Sequence, residues 1–308
     1  MTKVSLITPC FNAEKYIGKT IASVQAQTLT NWELIVVDDG SRDRSAAIVQ
    51  TYMATDPRIQ LIQQPNSGVC RARNVGFAAS SKESSCLLFL DADDCLKPEM
   101  LTTMTAYLDQ RAEVGVVYCD YTYINSNDET IETPYFARYM PTRLWLRVLP
   151  STHPDTPFIS IFARGAIPSV SMIRRSSYEQ TSGWDEAIGQ IFEDTDLLLN
   201  LALQSQCHYF PQSLVYYRKH SEQATARDNY GGQEAKLYHK WTTSDYLTDD
   251  QKALFQAAYR FCHGRATPRK GLQLGSRSLK QGDLQTALRY YLGALRRYAG
   301  SFLPQQQS

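Results

Sequence analysis

The chain has 308 residues, 43% hydrophobic and 20% charged, with 32 basic against 31 acidic side chains and a net charge of +1. That balance is ordinary for a globular protein and gives no basic face of the kind nucleic acid requires, so no nucleic-acid partner is expected. No apolar run approaches the roughly 20 residues needed to span a bilayer, and MTKVSLITPC runs directly into a strand-like stretch without a leader pattern, so a cytoplasmic chain is expected.

KVSLITPCF reads as a buried strand ending beside Pro9, and AEKYIGKTIASVQAQT as a helix with Ile17, Ile21 and Val24 on one face. WELIVVDDGS is a second buried strand closing in acid and glycine, DRSAAIVQTYMATD a second helix and IQLIQQ a third strand. After the turn PNSG, VCRARNVGFAAS reads as a third helix and CLLFL as a fourth strand. Continuous apolar strands alternating with helices predict a mainly parallel sheet covered on both faces. Ligands of such sheets bind beyond the carboxyl ends of the strands. TPCFN, DDGS and DADD should therefore meet at one rim.

Glu99 to Gln110 reads as a further helix and GVVYCDYTYI as a strand of alternating character. Residues 126–168, rich in proline and aromatics, read as loops and short helices that could form a lid. SVSMIRRSSYEQTSGWDE suggests a strand, a short helix and a turn; EDTDLLLNLALQSQ a helix with acids in its first turn; SLVYYRKH a last strand. A polar linker, SEQATARDNYGGQEA, leads to helices over 233–300, whose last pair resembles a single tetratricopeptide unit. One unit cannot stack as an array, which favours a packed appendage. The domain expectation is 1–225, divided into halves over 1–120 and 121–225, followed by a helical region over 226–308. Cys10, Cys70, Cys86, Cys95, Cys119, Cys207 and Cys262 are odd in number and form no C-x-x-C pair, so reduced, buried thiols are expected.

LLFLDADDCLKPE poses the sharpest question: a buried strand runs straight into Asp91, Asp93 and Asp94, which repel one another and disfavour each other's ionisation. A hard divalent cation, Mg²⁺ or Mn²⁺, would offset that charge, since such ions take one or two protein carboxylates plus phosphate oxygens. A solvated acidic turn is the alternative for the same residues. Asp38 and Asp39 after the second strand suit a nucleobase or ribose contact or, equally, a helix cap. Arg71 and Arg73 suit a diphosphate or an exposed helix face. Glu193, Asp194 and Asp196 open a helix where a carboxylate can act as a general base or complement the helix dipole. His220, beside Arg218, is a metal ligand, a phosphate contact or a structural histidine.

Together, TPCFNAEKYIGKTIASVQAQT, LIVVDDGSRD, NSGVCRARNVGF, LLFLDADDCLKPE, GWDE, FEDTDLLLNL and YYRKHSEQAT resemble the family 2 glycosyltransferases, a large bacterial group with the GT-A fold. The resemblance covers about Lys3 to Thr225 and implies transfer, with inversion, from a nucleotide diphosphate sugar to a hydroxyl. It implies that Thr8, Pro9, Phe11 and Asn12 lie along the base and that Asp39 holds it with Asp38 alongside. Arg73, or Arg71, would reach the base or diphosphate, and the Asp91-Ala92-Asp93 stretch would contact the donor with Asp91 near its sugars. Asp93 and Asp94 would hold Mn²⁺ or Mg²⁺, with His220 as a further ligand candidate. Asp194 would be the general base, Glu193 would touch donor or acceptor, and Asp196 would support them. Thr195 and Asn200 depart from the family's usual aromatic and arginine. Family frequency points to UDP as the nucleotide and to a glycan or lipid-linked glycan as acceptor, at the inner face of the cell membrane, with a homodimer left open. A non-catalytic sugar-nucleotide-binding subunit that recruits a partner through its helical tail is the alternative; retention of Asp194 with the full DADD argues against it. A nucleotidyltransferase would want a glycine-rich loop that TPCFNAEKYIG lacks.

Overall fold

The computed structural model describes residues 3–132, 168–223, 230–245, 247–253 and 255–256. The apolar runs form β1 (Val4–Cys10), β2 (Trp32–Asp38), β3 (Ile59–Gln63) and β4 (Cys86–Phe89), alternating with α1 (Ile17–Gln25), α2 (Ser45–Met53) and α3 (Val69–Ala79). They pair in parallel in the order β3-β2-β1-β4. β2 and β4 are buried at every position, as strands covered on both faces must be. α3 lies unusually close to the sheet: a Cβ on Gly76 would stand 2.4 Å from Ile7 Cγ2, so no larger residue fits without movement there.

Beyond β4 the sheet is mixed. It continues through β8 (Ser171–Arg174), antiparallel to both β4 and β6 (Val114–Ile124), and then through β9 (Gln206–Arg218), parallel to β6. β5 (Cys95–Leu96) closes that edge against β9, and β7 (Thr130–Glu132) pairs with β6. The helices of this half are α4 (Met100–Asp109), α5 (Arg175–Tyr178) and α6 (Glu193–Gln204). This is the GT-A type of α/β fold expected, with its curled mixed sheet.

Three differences have local causes. The expected alternation of β6 is absent: all eleven of its residues are buried, because it is flanked by strands on both edges and covered on both faces. β9 starts at Gln206, well before the apolar run; it skips Pro211 and Gln212, pairing Phe210 with Cys119 and Ser213 with Asp120, so the proline sits in a bulge where its missing N–H costs nothing. α7 (Tyr230–Thr243) begins inside the stretch read as a linker, with Gly231 and Gly232 in its first turn, where backbone N–H groups lack intrahelical partners anyway.

The chain divides into two compact units, Met1–His239 and Lys240–Ser308. In the second, the Trp241 and Phe255 rings stack at 5.5 Å. The expected lid over 126–168 falls mostly, and the tetratricopeptide-like pair wholly, outside the described residues, as does Cys262. The six described cysteines are free, and burial pushes the Cys10, Cys70, Cys119 and Cys207 thiols up to about 12, so they stay protonated. Among the described residues no helix is long and apolar enough to cross a membrane.

Candidate functional site

The parallel register brings the predicted loops to one rim. Cys10 lies opposite Asp38, the Asp39 N–H donates to the Cys10 carbonyl at 2.8 Å, and the Leu90 N–H to Ile7 at 2.9 Å. On the β1 side Thr8 is wholly buried, whereas Phe11, just past the strand end, stands 51% exposed. Asn12, at a left-handed φ of 51°, ties this loop to the next: its N–H donates to Ser41 Oγ, and its Oδ1 accepts from the Arg42 N–H.

The two acids after β2 are held by amides. Asp38 accepts from the Ser41 N–H at 3.1 Å and from Gln63 Nε2 at 3.3 Å. Asp39 accepts from the Ser67 and Gly68 N–H groups, both at 2.8 Å, and from Gln64 Nε2 at 2.7 Å. Asp39 thus fixes the turn leading into α3. Gly40 makes this geometry possible, with φ at +78° and Asn66 N only 2.8 Å from where a Cβ would sit.

The acids after β4 part in three directions, which answers the crowding seen in the sequence. Asp91 Oδ1 accepts from Arg73 Nη2 at 2.7 Å, and the Asp91 N–H donates to Ser169 Oγ at 3.2 Å. Asp93 Oδ2 faces His220 Nε2 at 2.8 Å. Asp94, 1% exposed, turns inward, where its Oδ1 accepts the Arg218 N–H at 3.0 Å. Burial, with the neighbouring Asp93 charge adding to it, holds the Asp91 and Asp94 carboxyls above the usual range, Asp94 well above it; at Asp91 the Arg73 guanidinium opposes the rise. Ala92 lies buried between them, its carbonyl accepting from Thr20 Oγ1.

Arg73 and Arg71 separate sharply. Arg71 is exposed and pairs loosely with Glu186 at 3.5 Å. Arg73 is 2% exposed, with Nη2 on Asp91 and Nη1 on Glu193 Oε1 at 3.0 Å. Its guanidinium lies 4.2 Å from the Trp184 ring centroid. Among the described residues, Arg73 Nε and Glu193 Oε2 are buried without hydrogen-bond partners.

Glu193 and Asp194 open α6 after Ile191 and Phe192, both left-handed at φ 80° and 71°, a strained approach that its surroundings must hold. Asp194 borders a small pocket walled by Phe89, Pro168, Ile173, Trp184 and Leu198. Burial there, and then the Glu193 charge, push its carboxyl up to about 7, while its Oδ1 accepts the Thr195 N–H at 2.6 Å. Asp196 is fully buried, and Asn200 Nδ2 donates to its carbonyl at 2.9 Å.

A divalent cation fits part of the predicted set. Asp93 Oδ2 and His220 Nε2 meet at 2.8 Å as one carboxylate and one imidazole, ligand types that such ions take beside phosphate oxygens. Asp94 is directed at the Arg218 backbone instead. Among the described residues no three His, Cys, Asp or Glu side chains form a closed cage.

Arg218 is the side chain at this rim whose contacts sequence reasoning missed. Buried under the acid loop, it donates from Nε to the Asp93 carbonyl at 2.8 Å and from Nη1 to the Asn125 carbonyl at 3.0 Å, and it pairs with Asp128. Its nearness to His220 in sequence was visible; its 5.0 Å approach to the Tyr16 ring, which also packs on His220, was not. Trp184 is likewise visible in GWDE but reveals its role only under Arg73.

A family model described as Glycosyl transferase family 2 matches residues 5–180. An uncharacterized glycosyltransferase, alr2836 of Nostoc sp., is 30% identical over 241 residues, covering 76% of this chain and 70% of that protein. Other curated glycosyltransferases match over shorter stretches, and the aligned region spans 37%, 16% and 33% of three of them. In fold, the chain is similar to Staphylococcus aureus TarS 1-349 in complex with UDP-GlcNAc, with a TM-score of 0.64 at 19% identity, covering 97% of this chain and 92% of that one. It is also similar to the mannosyltransferase PcManGT of Pyrobaculum calidifontis in complex with GDP-Man and Mn²⁺, with a TM-score of 0.59 at 16% identity, covering 98% and 76%.

Proposed function

The chain belongs to glycosyl transferase family 2, and on that premise we propose that it transfers a sugar from a UDP-sugar, with inversion, to a hydroxyl of a glycan or lipid-linked glycan. The observation that carries this reading is the meeting of Asp91, Asp93 with His220, and Glu193 with Asp194 around the ends of β1, β2 and β4. The UDP-GlcNAc complex of a protein of the same fold supports the donor class.

In this reading Phe11 offers its exposed face to the nucleobase, and the amide-rich turn around Asp39 shapes the base pocket. Asp91 lies towards the donor sugars. Asp93 and His220 would hold Mn²⁺ or Mg²⁺, which would supply positive charge to neutralise the departing diphosphate; the Mn²⁺ complex of the Pyrobaculum neighbour supports that choice. Asp194 takes the acceptor hydroxyl's proton as the oxygen attacks the anomeric carbon from the face opposite the diphosphate. A carboxyl raised to about 7 is a stronger base than an exposed aspartate and is still largely ionised just above neutrality. One displacement inverts the centre, so no enzyme nucleophile is required. The inner membrane face would supply a lipid-linked acceptor.

A thermal-shift screen of nucleotides and nucleotide sugars, with and without Mn²⁺, tests this reading, because a ligand that binds the folded state raises Tm. UDP or a UDP-sugar should raise Tm, and more so with Mn²⁺. A chain that responds to no nucleotide sugar would not be a transferase of this kind.

A further inference from the structure

α3 grips the loop that carries the transfer machinery at three successive points. Cys70 Sγ donates to the Gly189 carbonyl at 3.6 Å. Arg73 reaches Glu193. Asn74 pairs with the Trp184 backbone twice, Nδ2 donating to the carbonyl at 2.9 Å and Oδ1 accepting the N–H at 3.1 Å. The start of α6 has no side-chain cap of its own and follows two left-handed non-glycine residues. Local sequence does not set its position by itself, and the contacts from α3 help to hold it. α3 is itself seated on the sheet at Gly76 and tied at its first turn to Asp39.

We propose that Arg73 is the positioning residue of the transfer site: one arm of its guanidinium holds Asp91 and the other holds Glu193, which sets the Asp194 carboxylate at a fixed distance from the donor sugar. The inference rests on the glycosyltransferase reading above. It differs from a diphosphate contact because both terminal nitrogens are already engaged by carboxylates and the plane is stacked on Trp184. A planar fork spans two carboxylates at once; a lysine ammonium cannot.

The experiment measures UDP binding by calorimetry with Mn²⁺, and UDP release from UDP-N-acetylglucosamine or UDP-glucose with water as acceptor, on the full chain. Arg73→Lys should lower kcat by about 100-fold, the cost of roughly 1 Å of misplacement, while the UDP Kd and the donor KM stay within threefold. Glu193→Gln, which keeps the side chain's shape, should lower kcat about tenfold, and adding it to Arg73→Lys should lower kcat by less than a further threefold, because both act on one contact. An Arg73→Lys that loses UDP affinity tenfold at unchanged kcat would make Arg73 a donor contact and overturn the proposal. Fully multiplicative effects in the double variant would also overturn it. Should Arg73→Lys fail to fold, Trp184→Phe, which weakens the stacking and keeps the fork, must show the same kcat-over-KM loss or the proposal falls. A wild-type chain that binds no UDP and releases none would overturn the functional reading, and this inference with it.

Discussion

Two acid clusters line the candidate site, and they are held in opposite ways. Asp38 and Asp39 at the end of β2 accept from backbone N–H groups and glutamine amides. Asp91 and Asp93 beyond β4 meet Arg73 and His220, while Asp94 and Asp194 each have one backbone amide on a single oxygen and a carboxyl pushed upward by burial. Amides organise a loop without adding charge, so the first cluster is built for shape. The second leaves carboxylates short of partners, which costs stability and keeps acids ready for a cation or a proton.

The largest expected effect falls on the second cluster. Asp194→Asn should lower transfer by about 10²- to 10⁴-fold, the usual worth of a general base, with UDP affinity unchanged by calorimetry; unchanged transfer would remove Asp194 from the chemistry. The first cluster should respond in stability instead. Asp39→Asn keeps one oxygen for Ser67 and Gln64 but places its N–H₂ against the Gly68 N–H and should cost about 2 kcal/mol, read as a Tm lowered by ~6 °C. A loss of UDP affinity at unchanged Tm would make Asp39 a base contact rather than a loop anchor. Next in size, Asp93→Asn and His220→Gln should each weaken the Mn²⁺-dependent part of donor binding about tenfold, and chelation should remove it; donor affinity indifferent to metal would separate this pair from any ion.

The smallest effect sharpens the contrast most. Asp194 has a folded-state pKa of about 7, above the unfolded value of ~3.9. The folded chain therefore holds that proton more tightly, and its contribution to stability is complete below pH ~4 and is lost as pH rises through about 7. Asp194→Asn should accordingly raise Tm at pH 8 by ~3 °C, about 1 kcal/mol after allowing for solvent screening, and leave it unchanged at pH 4. The same titration predicts a transfer rate that climbs as pH rises through about 7. A flat profile, or a variant no more stable at pH 8, would mean that the carboxylate is not strained where it sits.

The alternation of β1 to β4 with α1 to α3 was legible because parallel strands buried on both faces leave continuous apolar runs. DADD, DDGS and FEDTD were legible because they stand where such strands end or a helix begins. The two-residue β5 and the early start of β9 were not, since short edge pairings and a bulge at Pro211 have no apolar signature. The β8 crossing, antiparallel to both neighbours, was hidden for a similar reason: four residues can pair either way.

The sequence by itself determined which acids reach the rim, because a strand delivers the residues after it to its own carboxyl end. Tertiary structure alone decided what each acid meets there. Arg73 and Glu193 lie 120 positions apart, Asp93 and His220 127, and Asp94 and Arg218 124. At such separations no local preference links two side chains; the order of strands β4-β8-β6-β9 and the seating of α3 bring them within hydrogen-bond reach. An arginine that reads in sequence as a free cation for the donor is for that reason found already bound to two carboxylates.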